Sequence, residues 1–221
     1  MFAINHAATA LLVKRRFRKV PLLCLLVSAQ LVEVLWVLLN AAALASPSVR
    51  AWLEEVPLAD VPYAHSVALS AAVAFAAWLV LAKFLRRHAV GAAVSVAVMS
   101  HVALDLFDQA QGAALAPFAQ SAALFGPALD GLAWQDFAVQ AAYGVLCWRV
   151  FRGTMRLLVV ILAFNLAGLF FAPHLDGPEG LWAHASPWLT GAVALELGLT
   201  VALVWHLSRL RAAELEGWLG R

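Results

Sequence analysis

The chain has 221 residues, of which 64% are hydrophobic and 13% are charged, with a formal net charge of +2. A typical soluble domain is about 25% charged, so this composition excludes an ordinary soluble protein. The small net charge also gives no indication of nucleic acid binding. We therefore expect an all-α, polytopic membrane helix bundle, with residues 1–221 forming a single integral membrane domain.

Six apolar segments are long enough to cross a hydrocarbon core, which takes about 20 residues of helix. They lie near 20–44, 64–84, 89–107, 134–151, 154–172 and 187–208. The fourth is the weakest prediction because Asp136 and Gln140 interrupt it near its start. Residues 3–13 are apolar but too short to span, and we expect a half-inserted or interfacial N-terminal helix there.

Lys and Arg residues set the predicted orientation, because they accumulate in short loops on the cytoplasmic side of a membrane. With six spans, 14 of the 15 basic residues fall on one side, and Arg50 alone lies opposite. The basic blocks are 14–19, 83–87, 149–156 and 209–221. Both termini are therefore predicted to be cytoplasmic. The predicted external loops are 45–63, 108–133 and 173–186.

Ionisable residues inside these spans are the strongest indication of function, since each costs about 2.5–3.5 kcal/mol to insert. His101 and Asp105 are four residues apart in the third span and share one helix face. Counted from the basic blocks at 1.5 Å per residue, Glu33 and His101 lie about 21 Å into the membrane, His65 about 27 Å and His6 about 12 Å. We predict that these groups converge in the outer half of the bilayer.

Imidazole nitrogens and carboxylate oxygens form the mixed ligand set of zinc and related divalent ions. The predicted metal ligands are His6, His65, His101 and Asp105, and the predicted catalytic groups are Glu33 and Asp105. Zinc is the expected metal, and such a site would activate water for hydrolysis. Because the site would be reached from the bilayer or from the external face, a lipid or lipid-linked head group is the expected substrate class.

Simpler interpretations of the same residues remain open at this point. His101 and Asp105 could form a hydrogen bond to each other and have no further role. Glu33 could be protonated and bonded to a neighbouring helix. His65 could cap a helix at the external interface, and His6 could be solvated. Two further functions also remain open: a proton-coupled transporter, and a non-catalytic scaffold or accessory subunit that uses buried polar groups for helix packing.

The sequence resembles the family of membrane-bound metal-dependent hydrolases of bacterial inner membranes. Three motifs within residues 1–120 carry the resemblance: Asn5-His6-Ala7-Ala8-Thr9, His65-Ser66, and Ser100-His101-Val102-Ala103-Leu104-Asp105 followed by Pro117-Phe118. The resemblance implies a bacterial inner-membrane location and a divalent metal held by the His and Asp positions. The chain departs from the family in its first long helix, where a Pro-Asp-x-Asp type motif is replaced by Gln30-Leu31-Val32-Glu33.

Overall fold

The computed structural model describes residues 3–55, 66–108, 133–175 and 187–219. Within these ranges the chain is helical and contains no strand, which confirms the predicted all-α bundle. The helices are α1 Ala3–Arg16, α2 Leu22–Ala29, α3 Leu31–Ala45, α4 Pro47–Glu55, α5 Val67–Trp78 with a π-helical continuation Leu79–Phe84, α6 His88–Asp108, α7 Ala133–Phe151, α8 Met155–Leu175 and α9 Pro187–Leu219.

Helices in the described part of the chain are long and apolar enough for a membrane protein. Three of them could cross a membrane: Val67–Phe84, His88–Asp105 and Pro187–Arg209. The pair α2 and α3 forms a fourth candidate if it is counted as one broken span. The predicted spans 134–151 and 154–172 are also helical, but α7 does not meet this test and the apolar part of α8 is shorter, Met155–Leu169. Their crossing of a membrane stays a prediction.

The first predicted span is not one straight helix. α2 and α3 meet at Gln30 with a bend of 62°. The chain therefore forms two helices where one straight span was predicted over 20–44. Gln30 has backbone angles φ −114° and ψ 14°, outside the helical range. Its side chain is buried, and Nε2 lies 3.5 Å from the carbonyl oxygen of Ala3 at the start of α1. Neither glycine nor proline marks the break, so sequence pattern alone does not reveal it.

α1 is the central helix of the bundle, since it packs against α2, α6, α7, α8 and α9. Buried residues occupy all of its sides over residues 3–11. The predicted short N-terminal half-helix is thus present, but the interfacial alternative is wrong, because an interfacial helix keeps one face in water. α1 runs from the neighbourhood of Gln30 to the basic block at its end. The position of both termini relative to a membrane stays a prediction.

Two tight helical hairpins, α5–α6 and α7–α8, surround this central helix. A Cβ on Gly91 of α6 would lie 3.0 Å from the Cβ of Ala82, so only glycine allows α5 this close. Ser95, one turn later, donates a 2.8 Å hydrogen bond to the carbonyl of Ala74 on α5. Small residues on α6 therefore fix the first hairpin.

The main apolar cluster joins the helix ends that carry the basic blocks. It includes Val13 near the end of α1, Ala93 near the start of α6 and Val204 in the last part of α9. Cys147 near the end of α7 and Leu157 near the start of α8 belong to the same cluster. The basic residues of α1, the two hairpin turns and α9 consequently gather at one end of the bundle.

Candidate metal centre

Four ionisable side chains from three helices meet inside the bundle: His6 of α1, Glu33 of α3, and His101 and Asp105 of α6. The Nε2 atom of His6 lies 3.4 Å from Oδ1 of Asp105 and 3.8 Å from Oε1 of Glu33. For His101, Nε2 lies 3.1 Å from Oδ2 of Asp105, and Nδ1 lies 3.2 Å from Oε2 of Glu33. The structure therefore brings together four of the five predicted site residues. The fifth, His65, lies outside the described residues.

The cluster is almost entirely enclosed by protein. His6, His101 and Asp105 are 1%, 1% and 2% exposed. The interpretation of His6 as a solvated residue is therefore wrong, because α1 inserts into the bundle instead of lying at its surface. The side chain of Glu33 is 16% exposed and is the most accessible of the four. Any water or substrate reaching the cluster by its open side meets Glu33 first.

The two histidine rings stack on each other, with centroids 3.9 Å apart and planes inclined by 21°. Two imidazolium cations stacked at this distance in an apolar interior would repel each other strongly. At most one ring is therefore charged, which leaves one negative charge unbalanced when Glu33 and Asp105 are both ionised. A divalent cation would balance the two carboxylates with both histidines neutral, which is the form that binds metals.

The helix break beside Gln30 determines which nitrogen of His101 can bind a metal. Nδ1 of His101 lies 2.9 Å from the backbone carbonyl oxygen of Ala29, the last residue of α2. A carbonyl oxygen only accepts hydrogen bonds, so Nδ1 carries the ring proton and donates the hydrogen bond to Ala29. In the neutral ring, Nε2 is then a lone-pair donor facing Asp105. Metal-binding histidines typically use their second nitrogen in this way.

The distances in the cluster fit a small metal ion. His6, Glu33 and His101 each offer one ligand atom, and these atoms all lie within 4.8 Å of one another. Tetrahedral zinc, with bonds of about 2.0–2.1 Å, holds neighbouring ligand atoms about 3.3 Å apart. The 3.1 Å and 3.4 Å distances from Asp105 to the two Nε2 atoms lie close to this value. The group could therefore hold a metal ion, with Asp105 as an additional oxygen donor.

A second polar cluster lies on the side of α1 that faces α7 and α8 and is centred on Asn5. The side-chain amides of Asn5 and Asn165 bond each other reciprocally, at 2.8 Å and 3.3 Å. Nδ2 of Asn5 also donates to Oε1 of Gln140 at 3.1 Å. Asn165 and Gln140 are polar residues within the predicted spans 154–172 and 134–151, whereas the sequence pattern gives no role to Asn5. The one available signal was the position of Asn5 next to His6.

Glu196 on α9 lies near the start of α1, where the backbone N–H of Ala3 can donate to its carboxylate because the first N–H groups of a helix have no intrahelical partner.

Comparison of the chain with protein-family models, curated proteins and solved structures finds no match. The resemblance to membrane-bound metal-dependent hydrolases thus rests on three short motifs and stays a prediction. The geometry of the four clustered side chains is therefore the main indication of function.

Proposed function

We propose that this chain is a membrane-embedded metal-dependent hydrolase that holds zinc through His6, His101 and Asp105. One observation carries the proposal: two histidines and two carboxylates from three helices meet in a buried cluster at metal-ligand spacing. Ionisable groups at this depth are costly, and a set of four gathered from distant parts of the chain has a functional role by default.

Each residue of the cluster has a distinct role in this proposal. The Nε2 atoms of His6 and His101 and the carboxylate of Asp105 would bind the metal. Zinc held there would act as a Lewis acid and activate water for hydrolysis. Glu33 is the general base, because its carboxylate lies at the open side of the cluster and 3.8 Å from His6. It accepts the proton of the attacking water and returns it to the leaving group.

A lipid or lipid-linked molecule is the proposed substrate class. The cluster opens at Glu33 on α3, whose side chain is 16% exposed, and the same helix exposes large apolar side chains on the side turned away from the cluster. Leu35 is 36% exposed and Leu38 is 58% exposed. Apolar side chains on the outside of a membrane helix contact acyl chains. Acyl chains would thus surround the helix that carries Glu33, which favours a substrate anchored in the same membrane.

The proposed location is the bacterial inner membrane, with the basic end of the bundle in the cytoplasm. Support comes from the basic blocks that the fold gathers at one end, near Lys14, Arg87, Arg149 and Arg209. Positively charged helix ends favour the cytoplasmic side. A reporter protein that is active only in the cytoplasm should be active when it is fused after residue 219. A reporter that is active only outside the cytoplasm would refute this orientation.

Metal content tests the proposed function directly. The wild-type protein is purified in mild detergent, and zinc, manganese and iron are measured by elemental analysis beside the His101→Ala and Asp105→Ala variants. We expect about one zinc per chain in the wild type and a loss of metal in both variants. Asn40→Leu is the matched control, because Asn40 is equally buried but, among the described residues, its side chain bonds only the carbonyl of Trp36 in its own helix. A correctly folded wild type that lacks stoichiometric metal would refute the proposal and leave the scaffold hypothesis in its place.

A further inference from the structure

The two histidines of the cluster are oriented by different means. His101 donates from Nδ1 to the Ala29 carbonyl, which fixes the rotation of its ring. His6 has no such partner within the described residues, since its Nδ1 forms no hydrogen bond there although the side chain is fully buried. The position of His6 must therefore be set by the placement of α1 itself.

Asn5 is the residue of α1 best placed to do this. It directly precedes His6, and successive residues of a helix point about 100° apart. The side chain of His6 faces α3 and α6, whereas Asn5 faces α7 and α8 through Gln140 and Asn165. Asn5 is 0% exposed, so its hydrogen bonds are made without competition from water.

The reciprocal amide pair restrains both the rotation and the axial position of α1. Asn165 is itself held by a 2.9 Å bond from its Nδ2 to the carbonyl of Ile161 on α8. One turn after Asn5, the Thr9 hydroxyl lies 2.7 Å from the hydroxyl of Tyr143 on α7. These contacts lie along one side of α1, and together they fix it against the α7–α8 hairpin.

Small movements of α1 would matter for metal binding. A histidine nitrogen lies about 6–7 Å from its helix axis, so a rotation of about 10° would move it by about 1 Å. Metal–ligand distances tolerate only about 0.2 Å. Without the amide pair, rotations of α1 this small would therefore be enough to break ligation by His6.

We infer that Asn5, through its reciprocal amide pair with Asn165, is a positioning residue that holds His6 in ligating position. This inference rests on the proposed function, since it assigns a role within the same metal centre. Asn5 does not touch the metal or the substrate. Its effect is transmitted along α1 to the neighbouring residue.

The test compares zinc affinity in the full-length protein carrying Asn5→Leu, Asn165→Leu or Asn40→Leu. Zinc is titrated against a chelator of known affinity, and Co²⁺ is bound in parallel because its visible absorption reports ligand geometry. We expect Asn5→Leu and Asn165→Leu each to weaken zinc binding about 10- to 100-fold, as is typical when outer residues of a metal site are removed. Both variants should also change the Co²⁺ spectrum. Asn40→Leu should leave affinity and spectrum unchanged.

Two variants keep the test decisive if one fails to fold, because Asn165→Leu changes no residue of α1. If the wild type binds zinc and both variants bind it with unchanged affinity and Co²⁺ spectrum, the positioning role is refuted and the proposed function stands. If Asn40→Leu weakens binding as much as the other two, the effect is general loss of packing and the inference is also refuted. If the wild type binds no zinc, the proposed function fails and the inference fails with it.

Discussion

Replacing Asp105 by asparagine is the most direct perturbation of the cluster. The substitution keeps the shape of the side chain and removes the charge that lies 3.1 Å from Nε2 of His101 and 3.4 Å from Nε2 of His6. Structural zinc sites with four ligands provide about 10–16 kcal/mol, so one ligand contributes roughly 3–4 kcal/mol. A loss of this size weakens binding on the order of 100- to 1,000-fold.

Thermal unfolding in detergent, with added zinc or with a chelator, measures this effect. At a zinc concentration 100 times its Kd, the wild type should be stabilised by about 2.7 kcal/mol. At the same concentration, a variant that binds 100-fold more weakly should gain only about 0.4 kcal/mol. Asn40→Leu is again the control, because Asn40 bonds the carbonyl of Trp36 within α3, lies outside the cluster and should not affect the zinc response. A wild type whose unfolding does not change between zinc and chelator would refute the reasoning.

Three further predictions test the general base and the packing of the helices, with metal titration for the first and thermal unfolding for the others. Glu33→Gln should retain zinc within about tenfold of the wild type, since the proposal uses Glu33 as a base; a loss as large as that of Asp105→Asn would contradict this role. Gly144→Ala should destabilise by about 1–3 kcal/mol, because its Cβ would lie 2.5 Å from a methyl group of Ile161. As its control, Gly198→Ala should be neutral or stabilising by up to about 1 kcal/mol, because no atom of the described residues lies within 4 Å of the added Cβ. Ser95→Ala should cost about 0.6 kcal/mol through its lost bond to α5, and no change would show that this bond is not needed for hairpin stability.

Much of the fold follows from composition and apolar length. Helices occur at all six predicted positions because a run of about 20 apolar residues has few other stable conformations in a membrane. The break at Gln30 could not be predicted, since no glycine or proline marks it and the contact that accompanies it comes from Ala3, 27 residues away. The central position of α1 could not be predicted either, because its apolar pattern is equally compatible with an interfacial helix.

The candidate site was predicted in part, because depth from the basic blocks constrains only one coordinate of each side chain. Glu33 and His101 were expected at equal depth, and they are indeed in contact. Rotation about each helix axis decides whether side chains meet, and sequence does not determine it. The role of Asn5 was missed for the same reason, since its partners Gln140 and Asn165 lie 135 and 160 residues away.

The broken helix and the short central helix can be understood as two parts of one arrangement. Irregular backbone at membrane depth is tolerated only where protein encloses it or where it lines a cavity. At Gln30 the side chain is 0% exposed, and the adjacent Ala29 carbonyl accepts a hydrogen bond from Nδ1–H of His101. The bend also turns α3 so that Glu33 reaches both histidines. α1 encloses the break through Ala3 and brings His6 to the same place.

A continuous first span would hydrogen-bond the Ala29 carbonyl within the helix, so His101 would lose the contact that fixes its tautomer. The irregularity therefore follows from the cluster: its geometry requires a carbonyl group that a regular membrane helix does not offer.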